Sequence, residues 1–162
     1  MSFVRSAFFA LPLLCLPVFV LAQGAQVAFG SVKQDASLPV EVTSDNLSVN
    51  QNDGTAIFTG NVLIGQGEMR LTAPKVLVVY REENNGIERL QATGGVTLVS
   101  GSDAAEAERA NYSIDTGQIV MRGNVLLVQG RSAITAERMT VDTKSGTARM
   151  DGRVKTILQP EN

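Results

Sequence analysis

The chain has 162 residues, of which 44% are hydrophobic and 19% charged, with a formal net charge of -2, no His, no Trp and one Cys. One domain is the default at this length. The slightly acidic balance, with no cluster of Lys or Arg, excludes a nucleic-acid binder, which needs a basic face. The lack of His, and of Cys beyond Cys15, removes the usual general base, thiol nucleophiles and nearly all transition-metal sites, so no metal and no cofactor is expected.

Residues 1–22 read as a cleaved signal peptide. Arg5 supplies the positive start, "AFFALPLLCLPVFVLA" the apolar run, and Val20 and Ala22 the small-residue site before the cut. The run is short for a membrane span and holds Pro12 and Pro17. An uncleaved anchor is the alternative. Residues 23–37, "QGAQVAFGSVKQDAS", have no clear periodicity and are expected to be a flexible lead-in to the domain.

From residue 38 the chain repeats itself. One marker is a Gly followed two residues later by Val, at Gly60, Gly94, Gly123 and Gly152; a second is a small residue after an apolar strand, at Ser44, Ala73, Ala107 and Ala136. The step from Gly to small residue is 13 residues in all three cases, and from small residue to the next Gly it is 16, 21, 16 and 16. The period is therefore 29 residues, with one turn, "REENNGIERL" at 81–90, lengthened. A loop tip is where extra residues cost least.

Around each Gly the residues alternate. Ala56, Phe58, Val62 and Ile64 are apolar, as are Leu90, Ala92, Val96 and Leu98, then Ile119, Met121, Val125 and Leu127, while Thr59, Asn61, Arg122 and Asn124 between them are polar. This is the period of a strand with one buried face, and a Gly inside it marks a bulge or bend. Around the second marker the apolar positions jump by three, to Leu47/Val49, Val76/Val78, Ala110/Tyr112 and Met139/Val141. A step of three between steps of two means a bulge or corner. Asp45, Lys75, Glu108, Arg109, Glu137 and Arg138 occupy that corner.

One such unit cannot bury its own apolar face, whereas stacked copies can. The expected fold is all-β, a repeat-built stack of antiparallel strands. The corner carboxylates recur at equivalent positions and read as a solvated edge rather than as a catalytic pair, so no enzyme is expected. Lys75, Arg109 and Arg138 read as surface charge, with an anion rail as the alternative. On pattern alone a closed core is the default over an open trough, because periodicity cannot tell the two apart.

A signal peptide, then "VTSDNL", "AIFTGNV" and "LTAPKV", then repeats of "AER" and "M-x-G-x-V", resemble the periplasmic lipopolysaccharide-transport bridge proteins, the LptA or OstA-like family. The resemblance covers residues 38–158 and leaves 159–162 as a short tail. It implies a twisted β-jelly roll open along one side, with lipopolysaccharide acyl chains, the lipid A moiety, lying in an apolar groove. It implies a periplasmic location and head-to-tail self-association. It also implies pairing by strand addition with an inner-membrane-anchored component of similar fold and with the N-terminal domain of the outer-membrane translocon. Matched by position, the groove-facing residues are then Phe58, Val62, Ile64, Val96, Leu98, Met121, Val125 and Leu127 from the Gly-marker strands. Val49, Val76, Val78, Tyr112, Met139 and Val141 come from the others. Rival readings are the membrane-anchored component itself, a carrier of another multi-acyl lipid, and a structural β-solenoid with a closed core.

Overall fold

The computed structural model describes residues 24–30 and 37–159; the expected signal peptide, 1–22, lies outside the described residues. The described chain forms one antiparallel sheet of eleven strands. They are β1 (Ala25–Ala28), β2 (Glu41–Thr43), β3 (Asn46–Asn50), β4 (Thr55–Gln66), β5 (Met69–Tyr80), β6 (Ile87–Ser100), β7 (Asp103–Ser113), β8 (Gln118–Gln129), β9 (Ser132–Asp142), β10 (Thr147–Asp151) and β11 (Lys155–Ile157). β4 to β9 pair in sequence order as successive hairpins. At the near edge β2 and β3 are two halves of one strand, pairing the two halves of β4; at the far edge β10 and β11 do the same along β9.

The lead-in differs from its expected form. Ala25–Ala28 is a strand, paired antiparallel with β10 from Ala25↔Met150 to Ala28↔Thr147. Four residues are too few for a two-residue period to stand out in the sequence, and the unpaired edge of β10 supplies the order.

The two markers of the repeat turn out to be one device. Along β4 and β5 the register passes from Thr59↔Lys75 to Val62↔Ala73, so Gly60 and Asn61 stand opposite Pro74 alone. The same two-against-one bulge recurs between β6 and β7 and between β8 and β9. Gly60 and Asn61 both have positive φ (79° and 45°), as do Gly123 and Asn124 (85° and 47°). That conformation explains the Gly and the Asn that follows it. A bulge at the same level in successive hairpins bends the whole sheet along one line.

The sheet folds back on itself there. Gln66 pairs with Met69 at one end of the strands, while Tyr112 pairs with Leu90, and Leu90 with Val78, near the other end. Met69 and Val78 would stand about 30 Å apart on a straight strand. Yet the Tyr112 hydroxyl donates to Gln66 Oε1 at 2.5 Å. The two rows of strand ends are thus the lips of a doubled-over sheet, and the repeat's apolar face lines its inside.

Candidate functional site

The interior face is the chemically distinctive part of the molecule. Val62, Ile64, Val76, Val78, Val96, Leu98, Tyr112, Met121, Val125, Leu127, Met139 and Val141 are all buried in one cluster, and Phe58 packs half-buried against it. Alternation along β4 to β9 puts them there, and the bulge keeps the parity right on both sides of the bend. Leu71, Leu90, Ile119, Ala148 and Met150 join them. Val49 does not: it is 59% exposed. It pairs with Ala56 on the inward parity, but among the described residues β3 is the last strand on its side of the sheet, and no further strand covers it.

No charged side chain is buried among the described residues; the buried polar ones are Gln66, Ser100 and Thr143. Gln66 ties the lips together at one point, accepting from Tyr112 and donating through Nε2 to the Leu38 carbonyl at 2.9 Å. Burial pushes the Tyr112 phenol above its ordinary value of 10.0, against the opposing pull of its hydrogen bonds with Thr143 and Gln66.

Phe29 belongs to the same cluster, 3% exposed, and sequence reading missed it. Val27 and Phe29 before Gly30 were the only signal, and two apolar residues two apart are too little to define a strand. The interior as it stands is shielded: Leu98, Met121, Leu127 and Met139 have no exposed surface. A hollow of about 470 Å³ lies instead at the near edge, lined by Leu38, Glu41, Thr43, Leu63, Gly65 and Arg70 among others.

The corner charges fall on the outer face and divide by sign. The acids are committed to the bulge. Asn61 Nδ2 donates to Asp45 Oδ2 at 2.8 Å, Asn124 Nδ2 to Glu108 Oε1 at 2.7 Å, and Arg153 pairs with Glu137. In each case the carboxylate sits 16 residues before its partner, which is the short spacing of the repeat. The bases form a row across the strands, Lys75, Arg109, Arg122 and Arg138, interrupted by Thr93 between the first two and ending at Asp151. Arg138 lies 3.7 Å from Asp151.

What this arrangement does chemically is exclude water from aliphatic surface, along a path built from equivalent units. A family model described as LptA/(LptD N-terminal domain) LPS transport protein matches residues 41–147. The lipopolysaccharide export system protein LptA of Haemophilus influenzae is 34% identical over 74 residues, covering 46% of this chain and 41% of that protein. The LPS-assembly protein LptD of Sodalis glossinidius is 35% identical over 82 residues, 49% of this chain and 10% of that protein. An uncharacterized protein of Rhizobium meliloti is 29% identical over 110 residues, 64% of this chain and 59% of its own length. The chain thus spans about three fifths or less of these relatives. The crystal structure of LptH, the LptA-homologous periplasmic component of the lipopolysaccharide transport device of Pseudomonas aeruginosa, matches with a TM-score of 0.68 over 78% of this chain and 99% of that one. At 17% identity that likeness speaks for the fold, a β-jelly roll. With the family match spanning most of the repeats, from Glu41 to Thr147, the chain belongs to the LptA/(LptD N-terminal domain) LPS transport protein family.

Proposed function

We propose that the chain is a periplasmic, non-enzymatic carrier that holds the acyl chains of lipopolysaccharide inside its doubled-over sheet and passes them from inner to outer membrane. Its groove is the interior set from Phe58 to Val141, with Val49 at the open near edge. Copies join head to tail by strand addition. The same edges pair with an inner-membrane-anchored component of similar fold and with the N-terminal domain of the outer-membrane translocon.

The observation that carries this reading is the interior face, apolar without a charged interruption from β4 to β10. An acyl chain in water costs about 0.8 kcal/mol per CH₂. A lipid with several chains therefore needs apolar cover at every step of its path, and a repeat supplies the same cover in each unit. The edges support the assembly. Leu47 and Val49 on β3 and Ile157 and Leu158 at β11 are each more than half exposed. Unpaired strand ends with apolar side chains favour the addition of another strand.

The test is a photo-crosslinking side chain at Val96 in cells that make lipopolysaccharide, with Lys155 as the outward control. A light-dependent lipopolysaccharide adduct at Val96 and none at Lys155 is the expected result. A folded, exported protein that yields no adduct at Val96 overturns the carrier reading. It would favour a structural module with a dry core, a reading that draws on the same shielded interior.

A further inference from the structure

The apolar interior has a seam, and the chain's own N-terminal segment stands in it. After β1 leaves β10, the next residues bridge the two lips. The Phe29 N–H donates to the Gly146 carbonyl at 3.0 Å, on the turn between β9 and β10. One residue on, the Gly30 N–H donates to Asp103 Oδ2 at 2.9 Å, at the opposite strand ends. Gln129 Nε2 donates both to the Ala28 carbonyl at 2.6 Å and to Asp103 Oδ2 at 2.8 Å. Between these anchors the Phe29 side chain goes into the core.

We propose that this place is the mouth through which one acyl chain of an amphiphile enters the interior. Residues 25–30 are a displaceable strap, and the Phe29 ring keeps the chain's position until the chain arrives. This rests on the carrier reading above and adds where and how loading begins.

Three features argue for it. The strap is paired along one side only. Among the described residues β1 has one strand neighbour, β10, and the side chains of Ala25, Gln26 and Ala28 are exposed. A short edge strand of this kind opens without the rest of the sheet. The contacts at residues 28–30 are exchangeable. They are hydrogen bonds to Gln129, Asp103 and the Gly146 carbonyl, partners that water replaces at little cost once the strap lifts. Finally, the side chain that fills the seam, Phe29, is wholly apolar, so an aliphatic chain can succeed it without wetting the core. The strap also covers the outer edge of β10, while β11 beside it is open. Its departure would free the mouth and half of the far edge together, so that a loaded molecule is also one ready to accept the next.

The test is a disulfide across the strap. Gln26 and Arg149 are Cα partners in the β1–β10 ladder and both are exposed, and antiparallel partners lie within disulfide reach. The full chain carrying Gln26→Cys and Arg149→Cys, with the sole native cysteine changed by Cys15→Ser, is mixed with fluorescently labelled lipopolysaccharide in both redox states. The expected result is that the reduced form loads like wild type and the oxidised form about tenfold more slowly or worse, while Phe29→Ala loads faster than wild type. Equal loading in the oxidised and reduced forms overturns the strap and leaves the carrier reading standing. Failure of the folded wild type to load at all overturns the carrier reading, and the strap with it.

Discussion

Gly123 and Glu108 leave each other no spare room. A Cβ on Gly123 would overlap the Glu108 carboxylate, as one on Gly60 would overlap Asp45 and one on Gly152 would overlap Glu137. Gly123 also has a φ of 85°. Gly123→Ala is therefore expected to cost about 1–3 kcal/mol, read as a lowered melting temperature. Adding Glu108→Ala should return part of the loss, because the steric component then disappears while the backbone strain stays. An additive double mutant would show that the two do not meet. Sequence reading saw Gly123 as a marker and Glu108 as a corner charge, and took the carboxylates for a solvated edge. Their partners lie 16 residues away, across a hairpin, and no local pattern reveals who faces whom at a bend. Tyr112 makes a second prediction at this scale. Its pKa is raised by burial, so the folded state keeps the phenolic proton longer than the unfolded state does. That stabilisation is complete below the ordinary value of 10.0 and is lost as pH rises through the folded value. Tyr112→Phe should cost about 1–2 kcal/mol at neutral pH, through its lost bond to Gln66. It should also show a shallower loss of stability in alkali than wild type, measured by urea denaturation across pH 8 to 11.

The strands most plainly written in the sequence are the long central ones. β4 to β9 alternate for eleven to fourteen residues each, and twelve of the fourteen residues assigned to the inner face are buried. The elements that escaped are short or terminal. β1 has four residues, and the turns at Gly67–Glu68, Gly101–Ser102 and Gly130–Arg131 have two each, too few to break an alternating pattern visibly. Val49 shows a different limit. Its parity was read correctly, yet facing inward gives burial only where another strand lies beyond. The exposed apolar side chains of β3 make the edge testable. Leu47→Lys with Val49→Lys should alter stability by about 0.5 kcal/mol or less, as surface changes do, while removing the proposed head-to-tail association. Sedimentation velocity over a concentration series reads this directly. Oligomers of undiminished size in the double mutant would place the contact elsewhere.

For the molecule as a whole the repeat is the governing fact. Each 29-residue unit pairs only with its neighbours in the sheet, so adding a unit should leave the others undisturbed. A second copy of residues 107–135 inserted after Thr135 is expected to fold. It should lengthen the particle along the stacking direction by two strand spacings, about 10 Å. Small-angle scattering measures the change; a particle that instead thickens, or fails to fold, would show that the units are not interchangeable. The regular period made the fold class legible. Whether the interior is a trough or a core was not, because alternation records only which side of a strand avoids water. The answer depends on the seam, which is closed by Gln66, Tyr112 and a segment with no period of its own.

The line of bulges has one more consequence. It separates the gauge of the interior from its reach. Gauge is set within a hairpin, by how many residues lie between the glycine and the strand's end. Reach is set by how many hairpins stand side by side, or by how many molecules do. A change in the width of the interior and a change in its length can therefore be met independently, the first by lengthening both arms of every hairpin, the second by copying hairpins unchanged.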